Sequence, residues 1–163
     1  MKHWICLILA FCLLLSGCSM AGERIKEPVT FYYLQEDYRK NMEQVIVSEV
    51  REASGHRDDI SYLLALYSMG PSKEDLRSPL PPNTQIMPIE RTSDSIVLSL
   101  SEGVQTITDA DFTLASTCLA LTCMDLTAVK QITVECAERR VTIRDDNLLL
   151  YSSNLPDQQE EEK

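Results

Sequence analysis

The run Leu121-Thr122-Cys123-Met124-Asp125-Leu126-Thr127-Ala128-Val129-Lys130-Gln131-Ile132-Thr133-Val134 changes its hydrophobic period halfway along, and the change decides how the chain is read. Up to Leu126 it closes a helix that begins near Ala110, with Asp109 as the expected N-cap. The helix centre, Leu114 to Met124, carries apolar or small residues on nearly every side, which predicts deep burial. From Lys130 to Ala137 the period falls to two. Ile132, Val134 and Cys136 share one face and Thr133 and Glu135 the other, as in a strand. Val141 and Ile143 extend this strand as a hairpin partner after a turn near Glu138-Arg139. A buried helix that feeds a strand implies helices packed on a sheet.

The upstream sequence supplies the remaining elements. Val29 to Leu34 is short and rich in β-formers, and Gln44 to Val50 adds Val45, Ile46, Val47 and Val50, so both are expected strands. Between Asp59 and Met69 the spacing of Ile60, Leu63, Leu64 and Tyr67 predicts a helix, capped by Asp58 or Asp59 and stopped by Gly70-Pro71. Lys73 to Pro82 contains Pro79, Pro81 and Pro82 and reads as an irregular connector. Thr84 to Glu90 and Ser95 to Ser101 form a predicted strand pair around a turn at Thr92-Ser93-Asp94, with Pro88 marking the first as an edge. The order is β-β-α-β-β-α-β with a further terminal strand. The expected fold class is α+β, a mixed sheet with two helices packed on one face.

The start of the chain is of a different kind. Lys2 and His3 precede an apolar run from Trp4 to Leu15, the length of a signal-peptide core and too short to cross a bilayer comfortably. It ends in Leu15-Ser16-Gly17-Cys18, which resembles the bacterial lipobox, so residues 1–17 are expected to be a lipoprotein signal peptide and Cys18 the lipidation site. Removing 17 of 163 residues leaves 146; Lys2 goes with them, so the formal net charge moves from −10 to −11. Trp4, the only tryptophan, is also lost. Residues 18–28 read as a lipid-proximal tether, 29–152 as one domain, and 153–163 as a solvated acidic tail.

Charge excludes two partner classes. Nucleic acid needs a basic surface to displace phosphate counterions, and an anionic lipid face repels an acidic one. Membrane association therefore depends on the acyl chains at Cys18.

Chemistry-bearing residues are sparse. After processing, His56 is the one histidine, in the loop segment Ser54-Gly55-His56-Arg57, with no nucleophile-elbow motif to support a triad. No His-x-x-x-His or Cys-x-x-Cys pair suggests a metal. The carboxylate pairs Asp58-Asp59, Asp109/Asp111 and Asp145-Asp146 fall at helix starts or in a turn, where they serve local structure. Glycines stand singly, without a phosphate-binding loop. Cys118 and Cys123, five residues apart on one helix, are separated by about 7.5 Å of rise and do not bridge each other. Cys136 pairs with one of them, or all three are reduced core residues. No catalytic residue, metal or cofactor is expected.

A set of ordered segments resembles the GerM-type sporulation and spore germination domain: the Tyr-rich first strand, Ala65-Leu66-Tyr67-Ser68-Met69-Gly70-Pro71, Ser78-Pro79-Leu80-Pro81-Pro82-Asn83-Thr84, Ile96 to Ser101, and the run quoted at the outset. The likeness covers Val29 to Ala137. It implies a ring-building-motif-like α+β domain on a lipoprotein at the outer face of the cell membrane of a Gram-positive-type bacterium. The expected role is non-catalytic: interaction with a protein or peptidoglycan partner, with self-assembly as one form of it, in sporulation or germination. The chain departs from the pattern in carrying one copy of the domain and Glu138-Arg139 in place of a Gly turn. A sheet edge such as Thr84 to Glu90, or the helix face bearing Asp58 and Asp59, are the two candidate contact surfaces. The alternative from another class is an envelope hydrolase or a small-ligand-binding lipoprotein.

Overall fold

The computed structural model describes residues 25–40 and 44–146. The signal segment, Cys18, all but the end of the tether, residues 147–152 and the acidic tail lie outside the described residues.

Strand β1 (Pro28–Gln35) pairs antiparallel with β2 (Ile46–Glu52) in one unbroken register from Pro28↔Glu52 to Leu34↔Ile46. On its other side β1 meets only the two-residue β3 (Leu76–Arg77), at Leu34 and Gln35. The order of this first sheet is β2-β1-β3. The second sheet runs β4 (Ile86–Arg91), β5 (Ser95–Leu100), β6 (Gln131–Cys136), β7 (Arg139–Arg144). Only β5 and β6 are parallel, and the long helix α2 (Asp109–Thr127), entered through a 3-10 turn at Glu102–Thr106, is the crossover that parallel pairing requires.

The class is α+β, as expected, but the strands divide between two sheets where one mixed sheet was anticipated. Tyr32 shows why. Its N–H and C=O point away from β2, and beyond the reach of β3 they meet helices. The Thr122 hydroxyl of α2 accepts the Tyr32 N–H at 3.0 Å, and the Tyr67 hydroxyl, from helix α1 (Ile60–Ser68), donates to the Tyr32 carbonyl at 2.9 Å. Side chains seal the strand edge where a further strand would otherwise be needed to satisfy buried peptide groups.

Capping explains both helix starts. Asp59 caps α1 by accepting the Tyr62 N–H at 3.0 Å, as its position predicts. For α2 the cap is Thr108, one residue earlier than expected: its backbone is extended and its hydroxyl accepts the Asp111 N–H at 3.1 Å. Asp109 instead lies in the first turn, where a carboxylate still complements the helix dipole. Ala128 ends α2 in the left-handed conformation at φ 58°.

One main core joins both sheets. Phe31 and Tyr33 of β1, Leu63, Leu64 and Tyr67 of α1, Leu119 of α2, Ile96 and Leu98 of β5, and Ile132 and Val134 of β6 are buried in it. Removing each large side chain from water contributes about 1.5–3 kcal/mol. The opposite face of α2 fills a smaller cluster through Cys118, packed with Leu34 and Tyr38. Burial on two faces accounts for the nearly all-apolar middle of this helix. The connector after α1 is ordered by β3 and by burial of Leu80, and the β6–β7 turn falls at Ala137-Glu138, so that Arg139 already belongs to β7.

Candidate functional site

His56 lies in the exposed loop between β2 and α1, where its ring stacks on Tyr62 with centroids 4.1 Å apart. Its carbonyl accepts the Asp59 N–H, so the residue shapes the turn before the α1 cap. Among the described residues it makes no ion pair with a carboxylate.

The carboxylate pairs do not converge. Asp59 is spent on its cap. Asp111 is the acceptor of a small network: Thr108 donates to it at 2.9 Å, the Tyr38 hydroxyl at 3.2 Å, and the Arg39 guanidinium at 3.0 and 3.2 Å. The Thr108 hydroxyl above all, then Tyr38 and Arg39, hold its carboxyl below the ordinary range against a smaller opposing effect of burial. Asp145 and Asp146 line an open depression of about 520 Å³ with Asp94, Lys130 and Arg144.

The three cysteines are buried and free. Burial pushes the Cys118 and Cys123 thiols up to about 12. Neither supplies the thiolate that a nucleophile or a metal ligand needs near neutral pH. The Cys136 thiol faces the Ser101 carbonyl at 3.6 Å.

Two charged clusters were not anticipated from the sequence. On the inner face of β2, Glu49 is 1% exposed, and its carboxylate accepts the Ser72 N–H at 3.1 and 3.2 Å, the Lys73 N–H at 3.1 Å and the Ser72 hydroxyl at 2.5 Å. Two positions along the same face, Arg51 donates to the Gly70 carbonyl at 2.9 Å and lies over the Phe31 ring. Together they tie the edge strand to the chain leaving α1, where Gly70 has a φ of +88° that only glycine adopts readily. The signal was present as Glu-x-Arg in a β-branched run, since period two puts both charges on one face. In the second cluster, Arg139 of β7 lies 4.4 Å from the Phe112 ring centroid and donates to the carbonyls of Val104 and Ile107.

Beside the first sheet a groove of about 520 Å³ is lined by Leu34, Tyr38, Arg77, Leu80, Pro81 and Ile107 among others. The Arg39 and Arg77 guanidinium groups each lie over the Tyr38 ring, 5.5 Å from its centroid. Edge β4 carries Pro88, a register shift between Pro88 and Glu90, and the exposed Met87 and Ile89. Among the described residues no group of three or more His, Cys, Asp or Glu side chains is arranged to hold a metal ion, and no helix is long and apolar enough to cross a membrane.

This geometry defines a class: a small α+β domain of two short sheets joined by a buried crossover helix, its charged groups tying turns and caps together. The domain has the GerM-type fold. It is similar to the first GerMN domain of the sporulation protein GerM from Bacillus subtilis, with a TM-score of 0.50 and 10% identity over 71% of this chain and 86% of that one. The tandem GerMN domains of the same protein match with a TM-score of 0.48 and 12% identity, over 70% of this chain and 40% of that longer one. No family model matches the sequence, and no curated protein does.

Proposed function

We propose that the protein is a non-catalytic lipoprotein, held at the outer face of the cell membrane by acyl chains on Cys18, whose GerM-type domain binds a protein or peptidoglycan partner during sporulation or spore germination. The observation that carries the reading is the fold likeness to a domain of a sporulation protein, on a chain whose start resembles a lipoprotein signal. The placement of the titratable groups agrees with it. His56 stacks on a tyrosine, and the Asp59 and Asp111 carboxylates are engaged at the starts of the two helices.

Two measurements test it. In its own host, loss of the protein lowers the yield of heat-resistant, germination-competent spores and leaves vegetative growth unchanged; normal spore yield and germination overturn the sporulation role. Labelled palmitate enters the wild type and not Cys18→Ala, which leaves the membrane fraction; a Cys18→Ala protein that stays membrane-bound overturns the anchor.

A further inference from the structure

Among the described residues, the first tertiary bonds fix where the chain enters the fold. Glu27 is held to the loop between β2 and α1: its carbonyl accepts the Ala53 N–H at 3.1 Å and its carboxylate the Gly55 N–H at 2.9 Å. β1 starts at the next residue, opposite Glu52. Arg57 in the same loop donates to the Pro28 carbonyl at 3.0 Å. It lines one cleft with Asp125 and Leu126, at the end of α2, and another with Arg91, at the end of β4. Beyond Arg91, the Asp94 carbonyl accepts the Lys130 and Gln131 N–H groups, and the Lys130 carbonyl accepts the Asp145 N–H. These contacts run unbroken across the molecule and define one end of it. The described residues begin and stop here, at Ile25 and Asp146.

The length of α2 separates this end from the opposite one. Its nineteen residues rise about 28 Å, and its start is tied by Asp109 to Arg139 and by Asp111 to Arg39, remote from Leu126. All four ion pairs among the described residues lie at or toward that far end: Arg39–Asp111, Lys40–Asp37, Arg139–Asp109 and Arg140–Glu135. At the near end Arg57, Arg91, Lys130 and Arg144 make none, and Asp58, Asp94, Asp125 and Asp145 share the surface with them. Charge of both signs gives this end no adhesion of its own to anionic lipid.

We infer that this end faces the bilayer that holds the chain's own acyl chains, and that the domain stands end-on with the start of α2 outermost. Cys18 and Glu27 are nine residues apart, so no more than about 30 Å separates the acylated residue from the pinned one. A small protein domain is itself about 30 Å across, so the tether at full stretch leaves no gap for one to enter freely. Repulsion works in the same direction. An anionic leaflet pushes the acidic domain away, and a body repelled while held at one end points its free end outward. The start of α1, with Asp58 and Asp59, then lies toward lipid and is closed to a second protein. The groove beside Tyr38, lined by Leu34, Ile107 and Asp111, is presented outward. The inference rests on the reading of Cys18 as the anchor and adds which surface a partner can reach.

The test uses the full lipidated chain in vesicles of phosphatidylglycerol and phosphatidylethanolamine. Cys118, Cys123 and Cys136 are buried, so a donor fluorophore goes to a single introduced thiol. Ser93→Cys places it in the near-end turn between β4 and β5, and Glu138→Cys in the far-end turn between β6 and β7. Both positions are exposed, and they lie about 20 Å apart along β6. Energy transfer to an acceptor on the lipid headgroups is several-fold more efficient from Ser93→Cys. Inserting a Gly-Ser linker of about twenty residues after Ser19 narrows that ratio, because the lengthened tether no longer holds one end down. Equal transfer from the two sites, or more from Glu138→Cys, overturns the inference and leaves the anchor standing. A ratio unchanged by the long linker overturns the tether as its cause. The anchor fails separately, and the inference with it, if Cys18→Ala protein stays in the membrane.

Discussion

Thr122 lies ninety residues beyond Tyr32, and its buried hydroxyl accepts the Tyr32 backbone N–H at 3.0 Å. With Tyr67 on the Tyr32 carbonyl, this contact closes the β1 edge. Thr122→Val keeps the shape and orphans the N–H. It lowers stability by about 1–3 kcal/mol, the cost of leaving a buried donor unpaired. Thr122→Ser, which keeps the acceptor, falls short of that loss in chemical denaturation.

The Glu49 carboxylate accepts the Ser72 and Lys73 N–H groups and the Ser72 hydroxyl, so Glu49→Gln replaces one of its two acceptor oxygens with an amide that brings two donors of its own to a cluster of donors. The expected loss is about 2 kcal/mol, the scale of hydrogen bonds to a charged group. It is seen as a lower urea midpoint together with faster hydrogen exchange at Ser72 and Lys73, the residues it holds.

Arg139 combines a ring contact with a fork of donors to Val104 and Ile107. Lysine carries the charge without the planar fork. Arg139→Lys therefore destabilises the domain by about 1 kcal/mol, judged from one lost hydrogen bond and a weaker cation–π contact. A drop in the thermal midpoint measures it, and an unchanged midpoint counts against the clamp.

High pH attacks the core. Burial raises the Cys118 and Cys123 thiols and the Tyr33 hydroxyl to about 12, so folding favours their protonated forms. That stability is fully present below the ordinary thiol and phenol values of about 9–10, declines above them and is lost as pH rises through about 12. A tyrosinate absorbance titration should show Tyr33 ionising together with unfolding. Cys118 and Cys123 should resist iodoacetamide at mildly alkaline pH until denaturant is added.

Much of the architecture was legible because it repeats at short range. The 2.0 period of Ile132, Val134 and Cys136 and the 3.6 period of Ile60, Leu63, Leu64 and Tyr67 each report a local geometry. Cap placement was less legible: Thr108 and Asp109 are both competent N-caps, and backbone dihedrals chose Thr108. The division into two sheets left no local trace, since it depends on Thr122 and Tyr67 reaching one peptide group from distant elements. Thr84 to Glu90 does contain an edge strand, with Pro88 and a register shift in it, and among the described residues β2 is an edge of the other sheet.

By itself, the sequence determined the α+β class, the positions of the longer strands and helices but not β3, the α1 cap at Asp59 and the apolar character of α2, because these follow from neighbours two to four residues apart. Tertiary structure alone decided that the strands form two sheets, that Glu49 and Arg51 turn inward to hold the α1 exit, and that β2 is an edge strand among the described residues. Each of those depends on which distant groups satisfy a buried charge or peptide, and such partners are set by packing in three dimensions.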